Sequence, residues 1–307
     1  VTDIITLSDL STEEIKRILR LGAELKERWR RGGNEPLLDG KTLGMVFQKP
    51  SLRTRVSFEM GMSHLGGRAM YLSPSEVGLG RREAVQDVAR VLSRYVDGVM
   101  ARVFDHRDVE QLAHYSDVPV INGLSDRFHP CQALADMLTL IEKLGDLDGK
   151  KLAYAGDGNN VLRSLLLCAP RLGMDVTVAT PQGYGLDSDS VSLASELASD
   201  AGGRITLQSD PQQAVRDADV IYTDAWASMG QEDEREERLA VFPPYQVNER
   251  LIDLAKPDVV VMHCLPAHRG EEITDVVIDG NHSIVYDQAE NRLHAQKAVL
   301  LLLLKGE

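Results

Sequence analysis

Between Leu43 and Phe47 the chain is continuously apolar, the pattern of a strand buried on both faces. Val56, Phe58, Met60 and Leu65 follow at mixed helical spacing, and Gly66-Gly67 ends that run. The same exchange of periods repeats along the sequence. Ser11-Thr12-Glu13-Glu14 is a capping-box pattern opening a helix toward Arg30, with Ile15, Ile18, Leu19 and Leu25 on one side. Strands are expected at 69–72, 98–103 and 118–121, with helices over 82–95, 109–115 and 131–144. A polar loop covers 73–82. A second alternation places strands at 151–155, 176–180, 205–208, 220–224 and 259–263, and helices at 161–172, 188–199, near Ala214 and at 246–255. A last strand, 284–286, leads to a closing helix from Ala289. Residues 227–244 are acidic and aperiodic, and are expected to form a mobile functional loop.

Strands alternating with helices predict an α/β fold of two doubly wound parallel-sheet domains, with the active site in the cleft between them. Gly145 to Lys150 is polar and marks the expected boundary. The domains are then 1–145 and 146–288, and 289–307 forms a C-terminal helix packing back on the N-terminal domain. At 307 residues the chain is long for one core, which agrees with that division.

Composition narrows the class. With 43% hydrophobic residues and charges of both signs spread along it, the chain is globular rather than disordered. A net charge of -13 argues against a nucleic-acid partner. Cys131, Cys168 and Cys264 are odd in number, far apart and in no C-x-x-C pair, so neither a disulfide framework nor a structural zinc site is indicated. Val1-Thr2-Asp3 shows no basic-then-apolar leader, and the apolar run from Val299 to Leu304 is far too short to span a bilayer. A soluble cytoplasmic protein without a membrane partner is the expectation.

The most informative stretch is Phe47-Gln48-Lys49-Pro50-Ser51-Leu52-Arg53-Thr54-Arg55. It sits where a strand hands over to a helix N-terminus, whose free N–H groups and dipole favour an anion. Ser51 and Thr54 add hydroxyls, and Arg53 adds a planar fork suited to phosphate oxygens. Other polar clusters also fall at strand ends: Arg102, His129 to Gln132, Asn159-Asn160, Asp224 to Gly230, and His263 to Pro266. Read singly, each has an ordinary account. Arg102 is equally a solvated charge, His129 before Pro130 equally a helix cap, and Asp136 an exposed face or a support for Gln132. Cys264, alone, is most often inert core; at the end of an apolar strand and before Leu265-Pro266 it becomes a candidate functional thiol. Gly156-Asp157-Gly158 invites a dinucleotide reading. That reading fails, because the third glycine is missing and the next strand ends in Ala179-Thr180 without an acidic residue for a ribose. The adjacent amides Asn159 and Asn160 instead suit an amino-acid carboxylate.

Taken jointly, Ser51-Leu52-Arg53-Thr54-Arg55, His129-Pro130-Cys131-Gln132 and His263-Cys264-Leu265-Pro266 resemble, in order and spacing, the signatures of the aspartate/ornithine carbamoyltransferase family. Asp224-Ala225-Trp226-Ala227-Ser228-Met229-Gly230 is similar to the ornithine-specific loop of that family, and the likeness extends to Glu290-Asn291-Arg292-Leu293-His294-Ala295-Gln296. The resemblance implies transfer of the carbamoyl group of carbamoyl phosphate to L-ornithine, giving L-citrulline and phosphate, without metal or organic cofactor. It implies that Ser51, Leu52 (through its backbone), Arg53, Thr54, Arg102, His129, Gln132, Cys264, Leu265 and Arg292 bind carbamoyl phosphate. Thr54, Arg102, His129 and Cys264 are the implied catalytic groups, and Asn160, Asp224, Ser228 and Met229 the ornithine-binding ones. It also implies homotrimers or multiples of trimers. Two departures stand out: Leu52 where many members have Thr, and Gly78 where a glutamine often reaches carbamoyl phosphate from the neighbouring subunit. The competing readings are a sister carbamoyltransferase for an N-acylornithine or putrescine, and a non-catalytic paralogue.

Overall fold

The computed structural model describes residues 2–227 and 232–306. The chain divides into two compact units, one of 1–138 with 290–307 and one of 139–289.

In the first unit the described strands form a parallel four-stranded sheet: β1 (Thr42–Phe47), β2 (Arg68–Leu72), β3 (Gly98–Arg102) and β4 (Val120–Leu124), in the order β2-β1-β3-β4. Its helices are α1 (Thr12–Arg30), α2 (Leu52–His64), α3 (Pro74–Val77), α4 (Val85–Leu92), α5 (His106–Tyr115) and most of α6 (Pro130–Leu144). β1 and β3 are central and β2 and β4 are the outer strands; β1, β3 and β4 are buried apolar runs, while β2 is half exposed. Val46, Val99, Ala101 and Val120 pack with Val85, Val88, Val109 and Leu112 of the covering helices.

The second unit repeats the plan with β5 (Lys151–Ala155), β6 (Asp175–Ala179), β7 (Ile205–Gln208), β8 (Val220–Thr223) and β9 (Val260–His263), ordered β7-β6-β5-β8-β9 and all parallel. Its helices are α7 (Asn160–Leu166), α8 (Ser188–Ala198), α9 (Pro211–Val215), α10 (Arg235–Val241), α11 (Glu249–Ile252), α12 (Asp275–Ile278) and the start of α13 (Val285–Leu304). Both sheets are doubly wound. Strand order reverses between β1 and β3 in one and between β5 and β8 in the other, and such reversals open a crevice at the strands' carboxyl ends.

Several local expectations need correction. The segment 284–286 is not a strand: only a bridge from Ser283 to Val261 forms, and Val285 already begins α13. Ile284 donates its N–H to the Val261 carbonyl, so the sheet takes one residue before the helix period wins. Residues 235–241 of the supposed loop are the helix α10, with a 3-10 turn at Glu232–Glu234 before it. The helix expected from Arg82 starts at Val85, because Gly78 to Arg82 forms a turn that follows the short helix α3. The helix expected over 246–255 is reduced to α11. The division into compact units passes through α6, between Leu138 and Thr139. In the first unit α13 meets α1: Lys26 Nζ donates to Asn291 Oδ1 (2.7 Å) and pairs with Glu290 (3.1 Å), and Gly22 lies against the His294 carbonyl. Among the described residues, no helix is long and apolar enough to cross a membrane.

The capping box of α1 is formed on both sides, with Glu14 N–H donating to Ser11 Oγ (3.2 Å) and Ser11 N–H to Glu14 Oε2 (2.7 Å). The Ser11 N–H holds the Glu14 carboxyl below its ordinary value. Ser11→Ala is expected to lower unfolding stability by about 1 kcal/mol in a urea titration. The part due to Glu14 should be present above the ordinary carboxylate pKa and fade as pH falls through the depressed folded value.

Candidate active site

In the first unit the site is built at the β1/β3 reversal. Phe47 pairs in register with Arg102, so the segment leaving β1 and the residue ending β3 arrive side by side. Gln48 ties them: its N–H donates to the Arg102 carbonyl (2.8 Å), and its side chain accepts from Phe104 N–H and donates to Asp108. Ser51 is the N-cap of α2, accepting from the Thr54 N–H (3.4 Å), while Leu52 is exposed and Arg53 half-buried.

Thr54 is buried, and two guanidinium groups point at its hydroxyl. Arg102 Nη1 lies 3.3 Å from Thr54 Oγ1, and Arg292 Nη2 lies 3.4 Å from it. Arginine can only donate, so these contacts occupy the acceptor lone pairs of Oγ1 and direct its proton outward as a donor. Arg292 Nη1 also donates to Gln132 Oε1 (2.7 Å), and Gln132 Nε2 donates to Asp136 Oδ1 (2.8 Å). Asp136 therefore orients Gln132, the supporting role open to it from helical spacing. His129 is buried beside this group, and its pKa lies well below 6.5, first because burial disfavours the charged ring and then through Arg292, Arg102, Lys49 and Arg53. The centre of this half-site is a neutral imidazole and a hydroxyl donor among buried cations. An oxyanion or a phosphate satisfies that arrangement.

The second half-site lies at the β5/β8 reversal. Thr223 pairs with His263, which brings the next residues, Asp224 and Cys264, together: Cys264 Sγ lies 3.0 Å from Asp224 Oδ1. Asp224 Oδ2 accepts from Asn159 Nδ2 (2.7 Å). The two adjacent asparagines are thus separated in role. Asn159 is spent on capping α7, accepting from Val161 and Leu162 N–H, and on Asp224, whereas Asn160 is half-buried at the first helical position. Leu265 adopts φ +59°, unusual for a residue other than glycine, and its N–H donates to His263 Nδ1 (2.9 Å). Ser228 and Met229 lie outside the described residues.

Asp224, His263 and Cys264 carry ligand-type atoms within 4.8 Å of one another. However, both ring nitrogens of His263 are engaged, by Glu272 and by the Leu265 N–H. Gly158 has a packing reason: a Cβ there would lie 2.6 Å from the backbone at Tyr184 and Gly185. At the turn that departs from the family pattern, Gly78 has φ +57°, and a Cβ would meet that of Arg82 at 2.6 Å. Arg82 itself donates to the Glu76 carbonyl (2.7 Å).

Arg238 was not among the expected site residues. Its guanidinium is buried and bridges Asp157 Oδ1 (2.8 Å), the Trp226 carbonyl (2.6 Å) and Glu234 (2.9 Å), joining the end of β5 to both flanks of the 228–231 segment. The detectable signal was the i, i+4 spacing of Glu234 and Arg238. Burial pushes the Asp157 carboxyl up to about 6, with Arg238 opposing that rise.

Each unit is a doubly wound α/β body, the first with a cluster of buried cations at its strand reversal and the second with a carboxylate–thiol pair at its own. Residues 2–142 match the model described as the aspartate/ornithine carbamoyltransferase carbamoyl-P binding domain, and residues 148–303 its Asp/Orn binding domain. Ornithine carbamoyltransferase of Halalkalibacterium halodurans is 57% identical over 305 residues, covering 99% of this chain and 96% of that protein. The anabolic ornithine carbamoyltransferase of Pyrococcus furiosus is 58% identical over 304 residues, with the same coverage of 99% and 96%. The solved structure of ornithine carbamoyltransferase from P. furiosus superposes with a TM-score of 0.97 at 58% identity, covering 99% of this chain and 97% of that one. The chain belongs to the aspartate/ornithine carbamoyltransferase family.

The burial and surrounding cations of His129 carry a direct test. Followed by imidazole NMR, His129 is expected to take up no proton as the pH passes down through 6.5. A midpoint near that value would contradict the neutral-donor geometry.

Proposed function

We propose that this chain transfers the carbamoyl group of carbamoyl phosphate to the δ-amine of L-ornithine, giving L-citrulline and phosphate. The observation that carries the reading is the convergence of Arg102 and Arg292 on Thr54, beside neutral His129, in the unit that matches a carbamoyl-P binding domain. Residues 1–145 act as the carbamoyl phosphate domain, 146–288 as the ornithine domain and 289–307 as a closing helix. The names of the relatives support ornithine as the acceptor.

The amine must attack as its neutral form, and negative charge then grows on the carbonyl oxygen. The Thr54 hydroxyl, Arg102 and His129 donate to that oxygen, in a pocket where preorganised donors count for more than in water. Gln132 and Arg292 hold the carbamoyl group in line. As the carbon–oxygen bond to phosphate breaks, Arg53, Arg102, Ser51 and the Leu52 N–H take up the charge of the leaving group. Ornithine is held by Asp224 at its α-ammonium and by Asn160, Ser228 and Met229 at its α-carboxylate end. Cys264 and the Leu265 backbone complete the carbamoyl pocket, and Cys264 orients the δ-amine, whose proton is lost more readily as water leaves. No electron changes hands, so the chemistry calls for no redox cofactor, and positioning with electrostatics supplies the rate.

The working form is a homotrimer or a multiple of it. Support comes from an apolar face on α2 and the edge strand β2, where Leu52 is 75% exposed and Met70 53%, with Val56 and Met60 beside them. Three free thiols suit a reducing cytoplasm.

Arg102→Ala is expected to cut citrulline formation at least about 10³-fold while leaving the circular dichroism spectrum unchanged. The parent protein should turn over ornithine and not N-acetylornithine, putrescine or aspartate. Near-normal rates in the variant would remove Arg102 from the mechanism, and preference for another amine would overturn the roles of Asn160 and Asp224.

A further inference from the structure

We propose that Glu272 is a positioning residue for the Cys264-Leu265 segment, acting by fixing the tautomer of His263. His263 closes β9, and its side chain and that of Glu272 are both fully buried. Its two ring nitrogens make two different bonds. Nδ1 lies 2.9 Å from the Leu265 N, and Nε2 lies 2.9 Å from Glu272 Oε1. A backbone N–H can only donate, so Nδ1 must be the unprotonated acceptor and the ring proton must reside on Nε2. Glu272 supplies the acceptor that keeps it there. With the proton on Nδ1, two donors would face each other at Leu265, and the bond holding that residue would be lost.

The carboxylate is itself pinned. Glu272 Oε1 also accepts the His268 N–H at 2.6 Å, and the Glu272 carbonyl accepts the Val247 N–H at 2.8 Å. His263 is held by its backbone as well, its N–H donating to Gln288 Oε1 (2.9 Å), while Gln288 Nε2 donates to the Tyr222 hydroxyl (3.1 Å). What remains adjustable is the imidazole proton, and Glu272 decides it. The consequence reaches the site one residue away. Leu265 occupies a left-handed conformation at φ +59°, which a non-glycine residue keeps only when its surroundings hold it. Cys264, between His263 and Leu265, has its Sγ 3.0 Å from Asp224. Releasing Leu265 frees that aim.

The geometry asks for an acceptor at Oε1 and not for a charge, and this separates the proposal from a carboxylate that supports an imidazolium. In Glu272→Gln the amide oxygen is kept at the Oε1 position by the His268 N–H, so it still accepts from His263. Glu272→Leu removes the acceptor. The kinetic part rests on the proposed carbamoyl transfer, while the tautomer part stands without it.

The test uses the full chain labelled with ¹⁵N-histidine, with citrulline kinetics alongside. The parent protein and Glu272→Gln are expected to show His263 as the Nε2–H tautomer, with kcat within about threefold of each other. Glu272→Leu should show a growing Nδ1–H population and a kcat lower by about 10²-fold. Binding of inorganic phosphate, which reports on the Ser51–Thr54 segment of the first unit, should stay unchanged. An Nδ1–H tautomer in the parent overturns the proposal whether or not any variant folds. A folded Glu272→Leu with parental tautomer and kcat overturns it too, as does a Glu272→Gln variant that falls as far as Glu272→Leu. Absence of citrulline formation by the parent, with the Nε2–H tautomer present, would instead count against the proposed reaction.

Discussion

In a parallel sheet every strand ends on the same edge, and the registry between neighbours decides which side chains meet there. Two pairings set the chemistry of this protein: Phe47 opposite Arg102, and Thr223 opposite His263. The first delivers Ser51–Thr54 to Arg102. The second delivers Asp224 to Cys264. Slipping either pair by one residue would turn every side chain of that strand to the opposite face, and the polar ends would no longer converge. The continuous apolar runs of β1, β3, β8 and β9 specify this registry, because both of their faces are buried.

The molecule carries a net charge of -13 and still concentrates arginine in one pocket. Arg102 and Arg292 are both buried, and both donate to Thr54. Burying like charges together is unfavourable unless a negative partner arrives, so such a pocket is poised for an anion. The depressed pKa of His129 follows from the same field, together with its burial. A neutral ring adds a hydrogen-bonding group without adding another cation. The anion affinity proposed for this pocket is thus a property of the group, and no single arginine accounts for it.

The second unit stores its organisation differently. Asp224 accepts from Asn159 and from Cys264, while Leu265 is held in a conformation costing roughly 1–2 kcal/mol for a non-glycine residue. A backbone hydrogen bond is worth about 1 kcal/mol, so the bond to His263 offsets much of that strain. Arg238 adds a further tie, stacked near Tyr184 and Phe242 while bridging Asp157, Trp226 and Glu234. Buried charge that is fully paired in this way restricts the backbone around it.

The sequence by itself determined the α/β class, the double winding, and most strand centres, because hydrophobic period and strand–helix alternation are local signals. It also marked the candidate motifs, which lie at or soon after the ends of apolar strands. Local signals failed where distant chain intervened. At 284–286, β-branched residues read as a strand, but only one bridge to Val261 was available and α13 took the rest. At 235–241, an acidic stretch without clear period became α10 because Arg238 found partners at Asp157 and Trp226. The neighbours Asn159 and Asn160 look equivalent in sequence; the cap of α7 and the nearness of Asp224 distinguish them. Glu272 reads as one of two adjacent surface acids, and only the fold buries it against His263. Which polar groups are withdrawn from water, and which partner then satisfies each, depends on contacts between residues far apart in the chain, and those the tertiary structure alone decided.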